Sequence, residues 1–358
     1  MLSRVLPQLR SAGCIQEVVC LSGPGEIGKQ ILDSGFSVTC LNMKRSNPDL
    51  RAFFQLIRII RQENPELIHS WLYHADLYSS LADLFLHKPL VWGLHNSTLG
   101  VEASRITKNI VHVLACLSHS VPKRIISCSN EAIRIHEKMG YRPDIMRFVP
   151  NGFDTELFQP DREAGKALRI SLGIPENALL IGNISRFDQQ KNHAGLIQAW
   201  ELLAKEKPEV RFLLAGKNLD RNNQVLQDYL TTAGITEKTV LLGIRDDVPD
   251  LLNALDLFVL SSNSGEAFPL IIGEAMSCGI ICVGTKVGDT EFLIDDCGKT
   301  VNPNDPESLK TACLSMLDLP EDEKSVLKEK SRNRIIENFT LQKMGEAYFA
   351  VYKEILQN

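Results

Sequence analysis

Twelve short apolar runs, in two series of six, leave this chain few ways to fold. The first series is EVVCLS, SVTCL, ELIHSW, PLVWGLH, RIISCS and MRFVPNG, and the second is LLIGNIS, RFLLAGK, TVLLGI, DLFVLSS, IICVGT and GKTVNP. Helix-sized intervals separate the runs. Many are β-branched and nearly continuous rather than alternating, as in parallel strands buried on both faces by helices. Each series predicts an α/β domain with a doubly wound sheet, and 358 residues suit two such domains. The polar stretch NGFDTELFQPDREAGKALRISLGIP marks the break. It predicts a first domain over 1–158, a second over 159–340, and a C-terminal helix over 341–358 that packs back toward the first.

Bulk properties narrow the class. Hydrophobic content of 44% and charged content of 23% are those of a globular protein. No apolar run approaches the roughly twenty residues of a spanning helix. MLSRVLPQLRSAG carries charge too early, and a proline too centrally, to read as a signal peptide. Nine cysteines, none in C-x-x-C spacing, indicate a reducing cytoplasm rather than a disulfide framework. Cys20, Cys40, Cys116, Cys128 and Cys282 lie in apolar runs and read as small buried hydrophobes. Residues 1–158 carry 17 Lys and Arg against 14 Asp and Glu, and the remainder 22 against 30. Between Lys88 and Arg147 nine basic residues face four acids. That excess suits weak contact with a membrane surface or an ordinary solvated face, and no feature points to nucleic acid.

VVCLSGPGEIGKQIL, residues 18–32, carries G-x-G-x-x-G between a strand and a helix, the form of a dinucleotide fingerprint. Pro24 removes an N–H from that cradle. The next strand closes in Asn42, Met43, Lys44 and Arg45 with no acid for a ribose, although Lys44 and Arg45 suit a 2′-phosphate. A glycine-rich turn entering a short surface helix accounts for the same residues.

Ligands of open α/β sheets bind beyond the C-terminal ends of strands. His95, Asn151, Arg186 and Glu266 stand at such ends, and Asn151 suits either a cap or a cleft lining. The most informative stretch is SSNSGEAFPLIIGEAMSCG, residues 261–279. Its strand ends at Ser261 and Ser262, Glu266 lies in the loop, Pro269 suits a first helical turn and Gly279 a stop. The exposed N–H groups of that helix start suit an anion or a sugar hydroxyl. Glu274 lies among LIIGEAM, where an unpaired buried carboxylate would be costly, so it reads as a working group. Arg186 and Lys191 flank the turn from a strand into HAGLIQAWELLAKE and place two cations beside a second helix start.

These residues resemble the E-x7-E motif, and NISRFDQQKN the cationic donor loop, of the family 4 retaining glycosyltransferases. VPNGFDTELF, LAGK, LLGIRDDVPDLLNALDLFVLSS and CGIICVGTKVGDTEFL match other landmarks of that family in order. The resemblance is dense over 145–300 and thinner before it. It implies a GT-B fold, two Rossmann-like domains facing across a cleft, with acceptor held by the first and nucleotide-sugar donor by the second. It implies that Arg186 and Lys191 meet the donor diphosphate, and that Glu266, Ala267, Phe268, Pro269, Leu270 and Glu274 line the donor site. Gly243 to Arg245 would lie beside the base, although Arg245 can instead pair with Asp246 or Asp247. His95 would stand near the transferred sugar and share catalysis with Glu266, with Asn96 and Asn151 on the acceptor side or lining the cleft. No D-x-D occurs, so no metal clamp is indicated, and the nucleotide sugar is a substrate rather than a cofactor.

The implied activity is transfer of a hexose-type sugar, from UDP in preference to GDP, to a glycan or lipid-linked acceptor with retained configuration. The site would be cytoplasmic, at the inner face of a membrane. The alternatives are a degenerate relative that binds nucleotide or partners without turnover, a nucleotide-sugar epimerase, and, most distantly, an NADP oxidoreductase. The family opens on a strand and glycine-rich loop, whereas this chain opens on LSRVLPQLRSAG, which reads as the helix that follows them. The first domain is therefore expected to lack its first strand, and the chain to start late.

Overall fold

The computed structural model describes residues 1–43, 49–96 and 104–357. Two compact units divide the chain, Met1–Gly152 with Leu341–Asn358, and Phe153–Thr340. The second unit thus begins before the boundary read at residue 158. Phe153 is the reason: it is fully buried, its N–H donates to the Phe339 carbonyl at 2.8 Å, and it bridges Thr340. The polar residues that follow it look like a linker in sequence but are fastened at their start.

All twelve apolar runs hold strands. In the first unit these are β1 (Glu17–Cys20), β2 (Ser37–Cys40), β3 (Ile68–Trp71), β4 (Leu90–Leu94), β5 (Arg124–Ser127) and β6 (Met146–Phe148). β1 and β2 form a parallel pair, and β3 to β6 form a parallel sheet in sequence order. Leu2–Ser11 is helical, so no strand stands before Gly13, and the two sheets share no ladder among the described residues. Helix Leu341–Leu356 packs on that first helix, where Val5, Leu9, Met344 and Tyr348 meet Val91 and Ile126 of the sheet.

The second unit holds β7 (Leu180–Ile184), β8 (Arg211–Ala215), β9 (Thr239–Leu241), β10 (Leu257–Leu260), β11 (Ile281–Thr285) and β12 (Gly298–Val301). Its parallel sheet runs β12-β11-β10-β7-β8-β9. Trp200 of helix His193–Glu206 stacks on Phe212 at 4.5 Å, within a core that takes Ile181, Leu214, Val259 and Val283 from four strands. Chain order reverses between β7 and β10. In a doubly wound sheet that reversal opens a crevice at the strand ends, where ligands bind.

All nine cysteines are free. Cys128 and Cys282 are buried, but Cys116 is exposed, on the outer side of helix Arg105–Leu117, whose inner side is Val111, Leu114 and Ala115. Cys20 and Cys40 are half-buried in the two-stranded sheet. The basic excess over 88–147 is partly spent internally: Arg124 and Arg147 share Glu354, Arg134 pairs with Glu131 and Arg142 with Asp144.

Candidate functional site

The loops leaving β7 and β10 interlock at the switch point. Asp188 caps the short turn Gln189–Lys191 by accepting from the Gln190 N–H at 2.9 Å. That N–H foremost, with Arg186 beside it, holds the Asp188 carboxyl below its ordinary range. Asn192, left-handed at φ 51°, then caps helix His193–Glu206 by accepting from the Gly195 N–H at 3.2 Å. From the other loop, Asn263 N–H donates to the Gln190 carbonyl at 2.8 Å and Ser261 Oγ to the Lys191 carbonyl at 2.7 Å. The turn that carries Lys191 is thereby fixed against the end of β10.

Lys191 and Glu266, 75 residues apart, meet there as an ion pair, both side chains largely buried. Ser262 Oγ donates to the same Glu266 oxygen at 2.6 Å, and its carbonyl accepts from Thr285 Oγ1 of β11. Gly288, at φ 57°, presses on the opposite side: a Cβ there would stand 2.3 Å from the Glu266 carbonyl oxygen. The site's anion and cation are therefore held by three strand ends and a close glycine contact.

His193 lies beneath this loop, 2% exposed. Burial, then the charge of Lys191, lowers its pKa to about 4, so the ring is neutral at pH 7. Ser185 Oγ donates to Asn183 Oδ1 at 2.8 Å, which leaves it to accept from His193 Nε2 at 3.1 Å. Asn183 Nδ2 donates to the Val259 carbonyl of β10 at 2.9 Å. This polar ladder ties the β7 loop to the neighbouring strand.

Other expected donor-site residues differ in placement. Arg186 is largely exposed and pairs with Asp188 at 3.0 Å rather than with the Lys191–Glu266 pair. The Arg245 side chain pairs with Asp247, Nε to Oδ1 at 2.7 Å, one of the two pairings its sequence position offers. Both backbone groups of Gly243 are used, its N–H on the Leu219 carbonyl at 2.9 Å and its carbonyl by the Gly216 N–H at 2.6 Å. The Phe268 side chain is core, stacked 6.1 Å from Phe153, so only its backbone can face a ligand. The Ala267 carbonyl accepts from the Asp289 N–H at 2.8 Å. Pro269, which has no N–H, precedes helix Leu270–Ser277, whose start has no side-chain cap. Glu274 is 7% exposed within that helix. Ser262 and His193 also lie against the ion pair, the first signalled in sequence only as a Ser pair at a strand end and the second only as a helix start.

In the first unit, His95 follows β4. Its ring lies on Trp71 at 4.4 Å with planes 3° apart, and burial lowers its pKa to about 3. Neither ring nitrogen has a partner among the described residues. His69, also lowered to about 3 by burial, is anchored through Nδ1 to Tyr352 Oη at 2.6 Å. A Cβ on Gly93 would stand 3.1 Å from His69 Nε2 and 3.4 Å from His95 Nε2, so glycine lets both neutral rings lie over the strand. Asn96 is exposed and Asn151 buried. Lys44 and Arg45, the 2′-phosphate candidates, lie outside the described residues. GPGEIG leads into the short helix Gly25–Asp33.

Comparison with known proteins gives this arrangement a family. The model for glycosyl transferases group 1 matches residues 166–339, and that for glycosyltransferase family 4 matches residues 2–157. A UDP-Gal:alpha-D-GlcNAc-diphosphoundecaprenol alpha-1,3-galactosyltransferase of Escherichia coli is 24% identical, over 87% of this chain and 81% of its own. An N-acetyl-alpha-D-glucosaminyl L-malate synthase of Bacillus anthracis is 28% identical, over 87% and 80%. Anabaena HepE, solved in complex with UDP-glucose, superposes with TM-score 0.83 at 20% identity, over 99% of this chain and 96% of that one. A Rickettsia africae glycosyltransferase superposes with TM-score 0.84 at 21% identity, over 99% and 95%. Each model falls mostly within one of the two units, and the fold of these neighbours is GT-B: the chain belongs to the group 1, family 4 glycosyltransferases.

Proposed function

We propose that this protein is a retaining, metal-independent hexosyltransferase that takes its sugar from UDP and passes it to a lipid-linked glycan at the inner face of a membrane. The observation that carries the reading is the meeting of Lys191 and Glu266 at the switch point between β7 and β10. Breaking a nucleotide-sugar bond leaves charge on the diphosphate, and preorganised cations and helix N–H groups are what stabilise it. Lys191 supplies the ammonium, already poised against a carboxylate that the sugar hydroxyls can take over. Arg186, exposed and held by Asp188, turns to the diphosphate. Glu274 and the uncapped start of helix Leu270–Ser277 receive hydroxyls and phosphate oxygens.

Transfer proceeds on the front face. The acceptor oxygen bonds to the anomeric carbon, the bond from that carbon to the phosphate oxygen breaks, and the acceptor proton passes to the departing phosphate. The sequence offers no obvious carboxylate nucleophile for the β-face, which favours this route over a covalent intermediate. His95, neutral and buried, with neither ring nitrogen partnered among the described residues, accepts or donates at a sugar hydroxyl. The Escherichia coli relative, named for UDP-Gal and a diphosphoundecaprenol acceptor, supports both UDP and a lipid-linked acceptor. HepE, solved with UDP-glucose, supports UDP over GDP.

Donor hydrolysis over a panel of UDP- and GDP-sugars, with calorimetry of the free diphosphates, tests the reading. One UDP-sugar hydrolysed above the rest, and UDP bound more tightly than GDP, is expected. No binding of either nucleotide would overturn it.

A further inference from the structure

Helix Leu50–Glu63 and helix Tyr73–Leu86 of the first unit pack side by side and leave an apolar surface uncovered. Leu50 is 71% exposed, Phe54 64%, Leu84 61% and Phe85 59%. Phe53, half-buried between them, touches Phe54 at 5.8 Å and Phe85 at 6.3 Å, joining the two helices' residues into one patch. Exposed apolar patches of this kind mark interaction sites.

The exposed charge around the patch is mostly positive. Arg51 and Arg58 stand three residues before and four after Phe54 and so share its helix face, with Arg61 one turn further. None of the three has an acidic partner among the described residues. The acids of these helices are engaged elsewhere: Asp49 caps its own helix, Asp76 is buried, and Asp83 accepts from the Lys88 N–H at 2.6 Å. Only Glu63, at the helix end, is exposed. Helix Arg105–Leu117, packed against Tyr73–Leu86, contains no acid and exposes Ile106 beside Arg105 and Lys108.

We propose that this face docks the protein on an anionic lipid surface. Phenylalanine and leucine enter the headgroup boundary while arginines on the same face meet lipid phosphates. A second copy fits poorly, because a two-fold contact would bring two copies of this arginine-bearing, acid-poor face together, and like charges across an interface are costly. The docking face is thus helices 50–63 and 73–86, rather than the basic stretch 88–147 at large. The inference deepens the reading of a lipid-linked acceptor, but its test needs no turnover, so the two fail separately.

Sedimentation of the full chain with vesicles reads the partition. Binding to phosphatidylglycerol in phosphatidylcholine, weakened by salt, and none to phosphatidylcholine alone are expected. Arg51→Ala with Arg58→Ala lowers that partition about 25-fold, at roughly fivefold per arginine near the surface. Phe54→Ser with Phe85→Ser lowers it further still. An unchanged melting temperature and unchanged UDP affinity by calorimetry show that these exposed variants fold. A charge-pair variant that sediments like the parent would overturn the proposal. So would light scattering that shows a dimer which Phe85→Ser dissociates.

Discussion

Lys191→Met separates what the ammonium does for the fold from what it does for the donor. The side chain is 18% exposed and faces Glu266, itself 11% exposed. Losing a hydrogen bond to a charged group costs about 2 kcal/mol. In a unit of this size that lowers the melting temperature by about 4–8 °C. The same ammonium on a diphosphate adds about 1.5–3 kcal/mol, so UDP affinity falls roughly ten- to hundredfold. Adding Glu266→Gln removes the second charge and leaves an amide that Ser262 can still reach. The double variant then regains most of the melting temperature but none of the UDP affinity. Scanning calorimetry and titration calorimetry on the parent, both singles and the double close the cycle. UDP affinity unchanged in Lys191→Met would remove that residue from the donor site. A double variant as labile as the single would show that the pair is not what the fold loses.

Acid titration tests His193. Its folded pKa of about 4 lies below the unfolded value, so the unfolded chain takes the proton first. Stability is full above about pH 6.5, drains as pH falls toward 4 and is flat below, a loss of about 2 kcal/mol by pH 5. His193→Gln flattens this part of a melting-temperature profile, and a profile equally steep in the variant would refute the assignment. Gly288→Ala forces a Cβ against the Glu266 carbonyl at a left-handed position, costs about 1–3 kcal/mol, and weakens UDP binding because the Glu266 loop shifts; unchanged calorimetry would contradict this. Glu274→Gln lowers donor affinity more than melting temperature, since an amide only partly replaces a carboxylate acceptor. A collapsed melting temperature with normal activity per folded molecule would make Glu274 structural.

Strand positions were legible because burial on both faces leaves continuous apolar runs in the central strands, the edge strands are shorter versions of the same pattern, and all twelve runs hold strands. The unit boundary was not, because Phe153 is one apolar residue in a polar stretch and its anchors, Phe339 and Thr340, are far along the chain. Lys191 and Glu266 could be placed at strand ends from sequence, but their pairing depends on β7 and β10 being neighbours, which only the strand order shows. Arg245 and Phe268 entered the donor site through the family resemblance, and Asp247 two residues on and Phe153 in the core take up their side chains, which leaves their backbone to face a ligand. His193 looked like any residue at a helix start, and its role in the polar ladder depends on Asn183 and Ser185 lying beneath it.

Proton NMR of the product formed from a lipid-linked acceptor and the intact UDP-α-sugar preferred in the donor panel reads directly whether the transferred sugar keeps its configuration. An α-linked product, formed with release of UDP, is expected. A β-linked product would contradict the front-face mechanism, and UDP binding with no turnover of any UDP-sugar would contradict transferase activity itself.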